Sequence, residues 1–183
     1  MPINMLKKLS SRRLVVINGL LALWMTCLAN TYFLHQLYTL TPYNGFKAAV
    51  FLASAFILLW AYLNLLLQLI TWGFLARPLK SLLLFFCAFG AYSVDTFGIG
   101  VDAGQIQNLM QTDLYEARDL LSWRLLGYII IIMLVPLYWL WRKPLESQSF
   151  FTQLKERVYG VVLSMTLIGS IAMLFYVDYA AIF

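Results

Sequence analysis

Charge is scarce in this sequence. Only 11% of the 183 residues are charged, with 13 Lys and Arg and 8 Asp and Glu, whereas a soluble domain carries about 25%. Histidine occurs once, as His35, and cysteine twice. Cys27 and Cys87 each lie inside an apolar run, and no CxxC or Cys/His spacing is present to hold a structural metal. Both thiols therefore read as small buried hydrophobes, not as a disulfide. No internal repeat and no low-complexity linker divides the chain.

What replaces charge is apolar surface, at 62% hydrophobic residues. A soluble fold of this size buries only part of its surface and cannot hide so much. Lipid must be the solvent for the remainder. The six Trp and eleven Tyr suit the two membrane–water interfaces. The net charge is +5, but the basic residues sit in short stretches beside apolar runs. They read as a topology signal, and no nucleic-acid partner is expected.

About 20 apolar residues cross a bilayer as a helix. Five runs qualify, over residues 14–37, 46–75, 79–97, 123–141 and 158–179. The first follows Lys7, Lys8, Arg12 and Arg13 in the manner of a signal peptide, but it exceeds a secretory core of roughly 7–15 residues and no small-x-small cleavage site follows. The third is the shortest, because only residues 81–94 separate Lys80 from Asp95. Lys80 must then snorkel towards the interface, with Asp95 at the opposite one. The positive-inside rule supports keeping this span. With the N-terminus cytoplasmic, only Lys47, Arg118 and Arg124 among the 13 basic residues fall outside. An odd span number puts the C-terminus outside, and the abrupt end at Phe183 suggests the anchor of something larger. Asn18, Asn30, Asn64, Gln68 and Thr71 are expected to hydrogen-bond between helices, and Pro136 to kink span four.

Residues 95–122 stand apart. They carry five of the eight acids: Asp95, Asp102, Asp113, Glu116 and Asp119. Asp102 and Gln105 form a capping-box-like pair. Beyond them Ile106, Leu109, Met110, Leu114, Ala117, Leu120 and Leu121 share one helical face, and Gln105, Asn108, Thr112, Glu116 and Asp119 a polar stripe. Such a helix lies in the interface with its apolar face down. The fold class expected is thus an all-α membrane protein, with five transmembrane helices plus an amphipathic interfacial helix between spans three and four. Asn108, Thr112 and Glu116, at i, i+4 and i+8, offer an amide, a hydroxyl and a carboxylate at headgroup depth. A zwitterionic headgroup needs an anion for its ammonium and neutral donors for its phosphate. On physics alone, a solvated face of an interfacial helix is the favoured reading of the stripe.

The stretch Asp95-Thr96-Phe97-Gly98-Ile99-Gly100-Val101-Asp102, then Gln107-Asn108-Leu109-Met110-Gln111-Thr112 and Glu116-Ala117, resembles the membrane domain of the lipid A phosphoethanolamine transferases, the colistin-resistance type included. Phe175-Tyr176-Val177-Asp178-Tyr179-Ala180-Ala181 is similar to that family's junction with its periplasmic domain. The resemblance implies an inner-membrane domain of five spans, N-terminus cytoplasmic and C-terminus periplasmic. It implies a following phosphatase-like periplasmic domain, with zinc and a threonine nucleophile, and transfer of phosphoethanolamine from phosphatidylethanolamine to lipid A. Polymyxin and colistin resistance would follow. It assigns lipid-substrate binding to Asn108, Thr112 and Glu116. The partners implied are those two lipids, the surrounding membrane lipids and the periplasmic catalytic domain of the same polypeptide. The segment itself carries no catalytic residue and no zinc ligand set, and by itself should be inactive. A small transporter or channel subunit, or a structural anchor for a periplasmic partner, are the other readings the spans allow.

Overall fold

The computed structural model describes residues 13–72, 75–97, 122–142 and 149–180. The interfacial helix expected between spans three and four falls outside these residues, and Asn108, Thr112 and Glu116 with it. Among the described residues the regular structure is helical. The helices are α1 Arg13–Ala29, α2 Thr31–Leu40, α3 Phe46–Ile70, α4 Ala76–Phe97, α5 Trp123–Tyr128, α6 Val135–Arg142, α7 Phe150–Leu174 and α8 Tyr176–Ala180. A π-helical turn, Ile129–Leu134, joins α5 to α6. Four of the resulting rods are long and apolar enough to cross a membrane, and a fifth arises if α1 and α2 count as one span.

The bundle is apolar on the outside. Leu20, Leu23, Ile57, Phe85, Phe86, Ile131, Val162 and Met165 are exposed, while Asn18, Asn64, Gln68 and Ser164 are almost completely buried. In water that arrangement aggregates; in lipid tails, which are as apolar as leucine, it costs nothing. Helix association then relies on close packing and interhelical hydrogen bonds. Small residues supply the first. Ala22, Ala55, Ala61, Ala88 and Ala91 are buried where helices meet. A polar chain supplies the second. Asn18 Nδ2 donates to Gln68 Oε1 at 3.0 Å, Gln68 reaches Asn64 at 3.5 Å, and Asn64 Nδ2 donates to Ser164 Oγ at 2.9 Å. One row of amides thus ties α1, α3 and α7 together, as expected for Asn18, Asn64 and Gln68.

Gly160 makes that contact possible. A Cβ there would lie 2.7 Å from Gln68 Nε2 and 2.8 Å from its Cδ. The Gln68 amide is buried and hydrogen-bonded, so it cannot turn aside freely. Gly160→Ala should therefore destabilise the bundle by about 1–3 kcal/mol, the usual cost of overpacking. Gly169→Ala, on the same helix but facing open space, should be neutral. Denaturant titration in detergent checks this, and equal stabilities would rule out the tight contact.

Several expectations change. Span one is not a single rod: it bends by 62° between Ala29 and Thr31. Asn30 causes the break by folding its amide back onto the Met25 carbonyl at 3.0 Å, which competes with helical bonding. Asn30 therefore ends a helix and does not bridge two, and Thr71 likewise bonds its own helix, at the Leu67 carbonyl, 2.5 Å away. Cys27 is exposed on the bundle exterior and not buried, whereas Cys87 packs between α4 and its neighbours. Lys80 does not reach outwards: its side chain is buried within the protein, at 6% exposure. Pro136 is accommodated inside one continuous span. Its ring would meet the carbonyl four residues back in an α-helix. The wider π turn just before it, in which Val135 N bonds the Ile130 carbonyl, opens the helix there.

Candidate functional site

Two polar clusters occupy the end of the bundle where α4 finishes and α5 begins, and where α3 starts. The first is a clasp. Asp95, in the last turn of α4, accepts from Arg124 Nη2 at 2.7 Å and from the Tyr128 hydroxyl. Tyr92, one turn before Asp95, meets Ser122 Oγ at 3.1 Å, and its ring packs edge-on to Tyr128 with centroids 5.9 Å apart. Ser122 caps α5 by accepting from Leu125 N at 3.2 Å. The i, i+3 pair Tyr92 and Asp95 and the i, i+4 pair Arg124 and Tyr128 each share a helix face, so both faces meet in register. The connection that carries Asn108, Thr112 and Glu116 therefore leaves and re-enters the bundle at one point. The ion pair is 58% exposed on the Arg124 side and 29% on the Asp95 side, so it contributes little to stability, about 0–1 kcal/mol. Its effect is on where the two chain ends sit.

The second cluster holds the last described helix. Tyr43, in the turn before α3, donates to Asp178, and Ser54 Oγ lies 2.9 Å from the Tyr179 hydroxyl. Phe51 packs on Tyr179 with ring centroids 5.1 Å apart. The hydrogen bond to Asp178 raises the Tyr43 pKa above its ordinary value, so the phenol stays a donor. His35 is exposed on α2. Among the described residues no three His, Cys, Asp or Glu side chains come close enough to hold a metal ion.

At the opposite end of the bundle, sequence reasoning missed a buried cation. By sequence Arg157 reads as a cytoplasmic loop charge, yet α7 begins at Phe150 and buries it to 2% exposure. Its Nη1 donates to the Gln68 carbonyl at 2.6 Å and its Nη2 to the Thr71 carbonyl. Those carbonyls end α3 and have no partner within it. Trp72 stacks on the guanidinium, 4.5 Å from its carbon. Arg157 is thus a cap supplied by a different helix, placed where the α3 dipole is negative. Glu156 and Lys80 are buried at the same end.

A multi-pass helical membrane domain, with a polar clasp at one end of the bundle where a long connection leaves and returns, is the class these features define. Residues 59–183 match the family described as phosphoethanolamine transferase EptA/EptB, and the chain belongs to that family. It is 27% identical over 167 residues to phosphoethanolamine transferase EptA of Escherichia coli K12, covering 90% of this chain and 30% of that protein. It is 29% identical over 165 residues to phosphatidylethanolamine transferase Mcr-1 of Escherichia coli, covering 88% and 30%. Among solved structures it is similar in fold to the integral membrane lipooligosaccharide phosphoethanolamine transferase A (EptA) from Neisseria meningitidis, with a TM-score of 0.83 and 23% identity, over 91% of this chain and 31% of that one. The chain thus spans about a third of the length of the relatives it matches.

Proposed function

We propose that this chain is the membrane anchor and lipid-substrate-binding part of an enzyme that moves phosphoethanolamine from phosphatidylethanolamine to lipid A and so confers polymyxin and colistin resistance. It sits in the bacterial inner membrane, N-terminus cytoplasmic and C-terminus periplasmic, an orientation supported by the placement of basic residues. The activity belongs to the polypeptide that includes a periplasmic catalytic domain with zinc and a threonine nucleophile; these 183 residues by themselves are inactive. The carrying observation is the clasp. It brings the two ends of the 98–121 connection to one point at the bundle end, where a headgroup-level stripe is useful.

In this reading Glu116 accepts the ammonium of phosphatidylethanolamine, and Asn108 and Thr112 donate to its phosphate. A charge-assisted contact that is partly desolvated is stronger than an exposed surface pair. Glu116→Gln and Glu116→Ala should each weaken use of the donor lipid by about tenfold or more, or 1.4 kcal/mol. The measurement is transfer to lipid A by the full-length enzyme across a donor titration, after insertion and expression are shown to be normal. Unchanged rates for both variants would make Glu116 a solvated surface acid and remove the stripe from the site.

A further inference from the structure

An apolar cleft of about 510 Å³ opens between α2, α3 and α7. Phe33, Leu37, Ala55, Leu59, Ala172 and Tyr179 are among its lining residues, and the volume lies within the range of small-ligand sites, roughly 300–1,000 Å³. Its position is informative. At one end stands Tyr179, beside Ser54 and Phe51 near the start of α3. At the other end stands Tyr62, about two-thirds of the way along the 25-residue α3. Along α3 the cleft extends from Ala55 to Tyr62, roughly 10 Å at helical rise, which lies within the hydrocarbon depth of one leaflet. Its walls are apolar, so water gains no partners inside it. At that depth the abundant apolar chain is a lipid tail.

The open end supplies a charge. Asp178 is half-buried, accepts from Tyr43, and forms no ion pair with any cation among the described residues. A carboxylate at headgroup level, next to the mouth of an acyl-sized cleft, complements a lipid ammonium and repels an anionic headgroup.

We propose that this cleft binds one acyl chain of an outer-leaflet phospholipid whose headgroup ammonium is taken by Asp178. The assignment to the outer leaflet rests on the orientation in the proposed function. The site itself is separate from the Asn108, Thr112 and Glu116 stripe and holds a lipid directly beneath the junction with the following domain. No covalent step is involved.

The test is retention of lipid, read without any transfer reaction. The full-length protein is placed in nanodiscs of equal phosphatidylethanolamine and phosphatidylglycerol and then released into the gas phase for native mass spectrometry. One retained phosphatidylethanolamine is expected, favoured over phosphatidylglycerol by about fivefold, the scale of one interfacial ion pair. Ala55→Trp and Ala172→Trp fill the cleft and should abolish retention. Asp178→Asn should keep a retained lipid but lose the headgroup preference. Retention unchanged in both tryptophan variants, or no retained lipid in the wild type, overturns the cleft assignment. An unchanged preference in Asp178→Asn overturns the headgroup assignment. Should the tryptophan variants misfold, the wild-type protein still decides, using phosphatidylethanolamine with a diazirine near the chain terminus. Crosslinks should concentrate on residues 55–62 and 168–172, and even labelling of lipid-facing Phe85 and Phe86 would refute the site. Glu116 variants should leave retention intact, so loss of transfer and loss of retention separate the two readings.

Discussion

Arg157→Ala is expected to destabilise the bundle by about 2–4 kcal/mol. Removing the guanidinium strands the Gln68 and Thr71 carbonyls, each costing roughly 1–3 kcal/mol when buried without a partner. It also removes the stack on Trp72, a contribution of about 0.5–2 kcal/mol. The sum is discounted because a chain unfolded within the membrane finds other partners for its polar groups. Arg157→Lys should recover only part of the loss, since an ammonium on a flexible stem does not span two carbonyls and stack as a planar fork does. Denaturant titration of the purified protein, followed by tryptophan fluorescence, measures both. Wild-type stability in Arg157→Ala would mean that α3 ends without help from α7.

On the function proposed above, charge reversal in the clasp should act differently, with a small effect on stability and a large one on transfer. Asp95→Arg sets two guanidiniums side by side and removes the acceptor for the Tyr128 hydroxyl. The exposed pair contributes at most about 1 kcal/mol to folding. Displacing the ends of the connection that carries Asn108, Thr112 and Glu116 by about 1 Å is enough to cost up to a hundredfold in rate. The expected result for the full-length enzyme is a transfer rate lower by about 30- to 100-fold, with stability within about 1 kcal/mol of wild type. The double reversal, Asp95→Arg with Arg124→Asp, restores the pair and should recover most of the rate. A double variant no better than Asp95→Arg by itself would show that the ion pair has no positioning role.

Much of the fold was legible in residue type and spacing. The apolar runs at 46–75, 79–97 and 123–141 overlie α3, α4 and the α5–α6 span, because twenty apolar residues at helical rise match a bilayer. The buried role of Asn18, Asn64 and Gln68 was also legible, since a polar side chain within an apolar run has few other stable places. What escaped depends on contacts between distant residues. The break at Asn30 looks like any polar residue in a span until its amide is seen on the Met25 carbonyl. Arg157 reads as a loop charge because its partners lie in another helix, and hydropathy begins the last span at Val158 where α7 begins at Phe150. Of the candidate site, the acid at Asp95 was visible at a membrane boundary, but its partners Arg124 and Tyr128 were not, because they lie across the long connection. The stripe itself rests on helical periodicity and on the family motif.

The cap on α3 also sets an order of assembly. Arg157 and the Gln68 carbonyl it satisfies are 89 positions apart in the chain. At roughly 5–20 residues per second, the ribosome needs about 5–18 s to make the intervening stretch. During that interval α3 is already synthesised while its carbonyl end waits for the guanidinium. The nascent protein must keep that end in the wet headgroup zone, where water and lipid phosphate surroundings tolerate it, until α7 arrives. Closure of the α3–α7 seam is therefore a late event in biogenesis, and truncated nascent chains that stop short of residue 157 should remain open to membrane quality-control proteases.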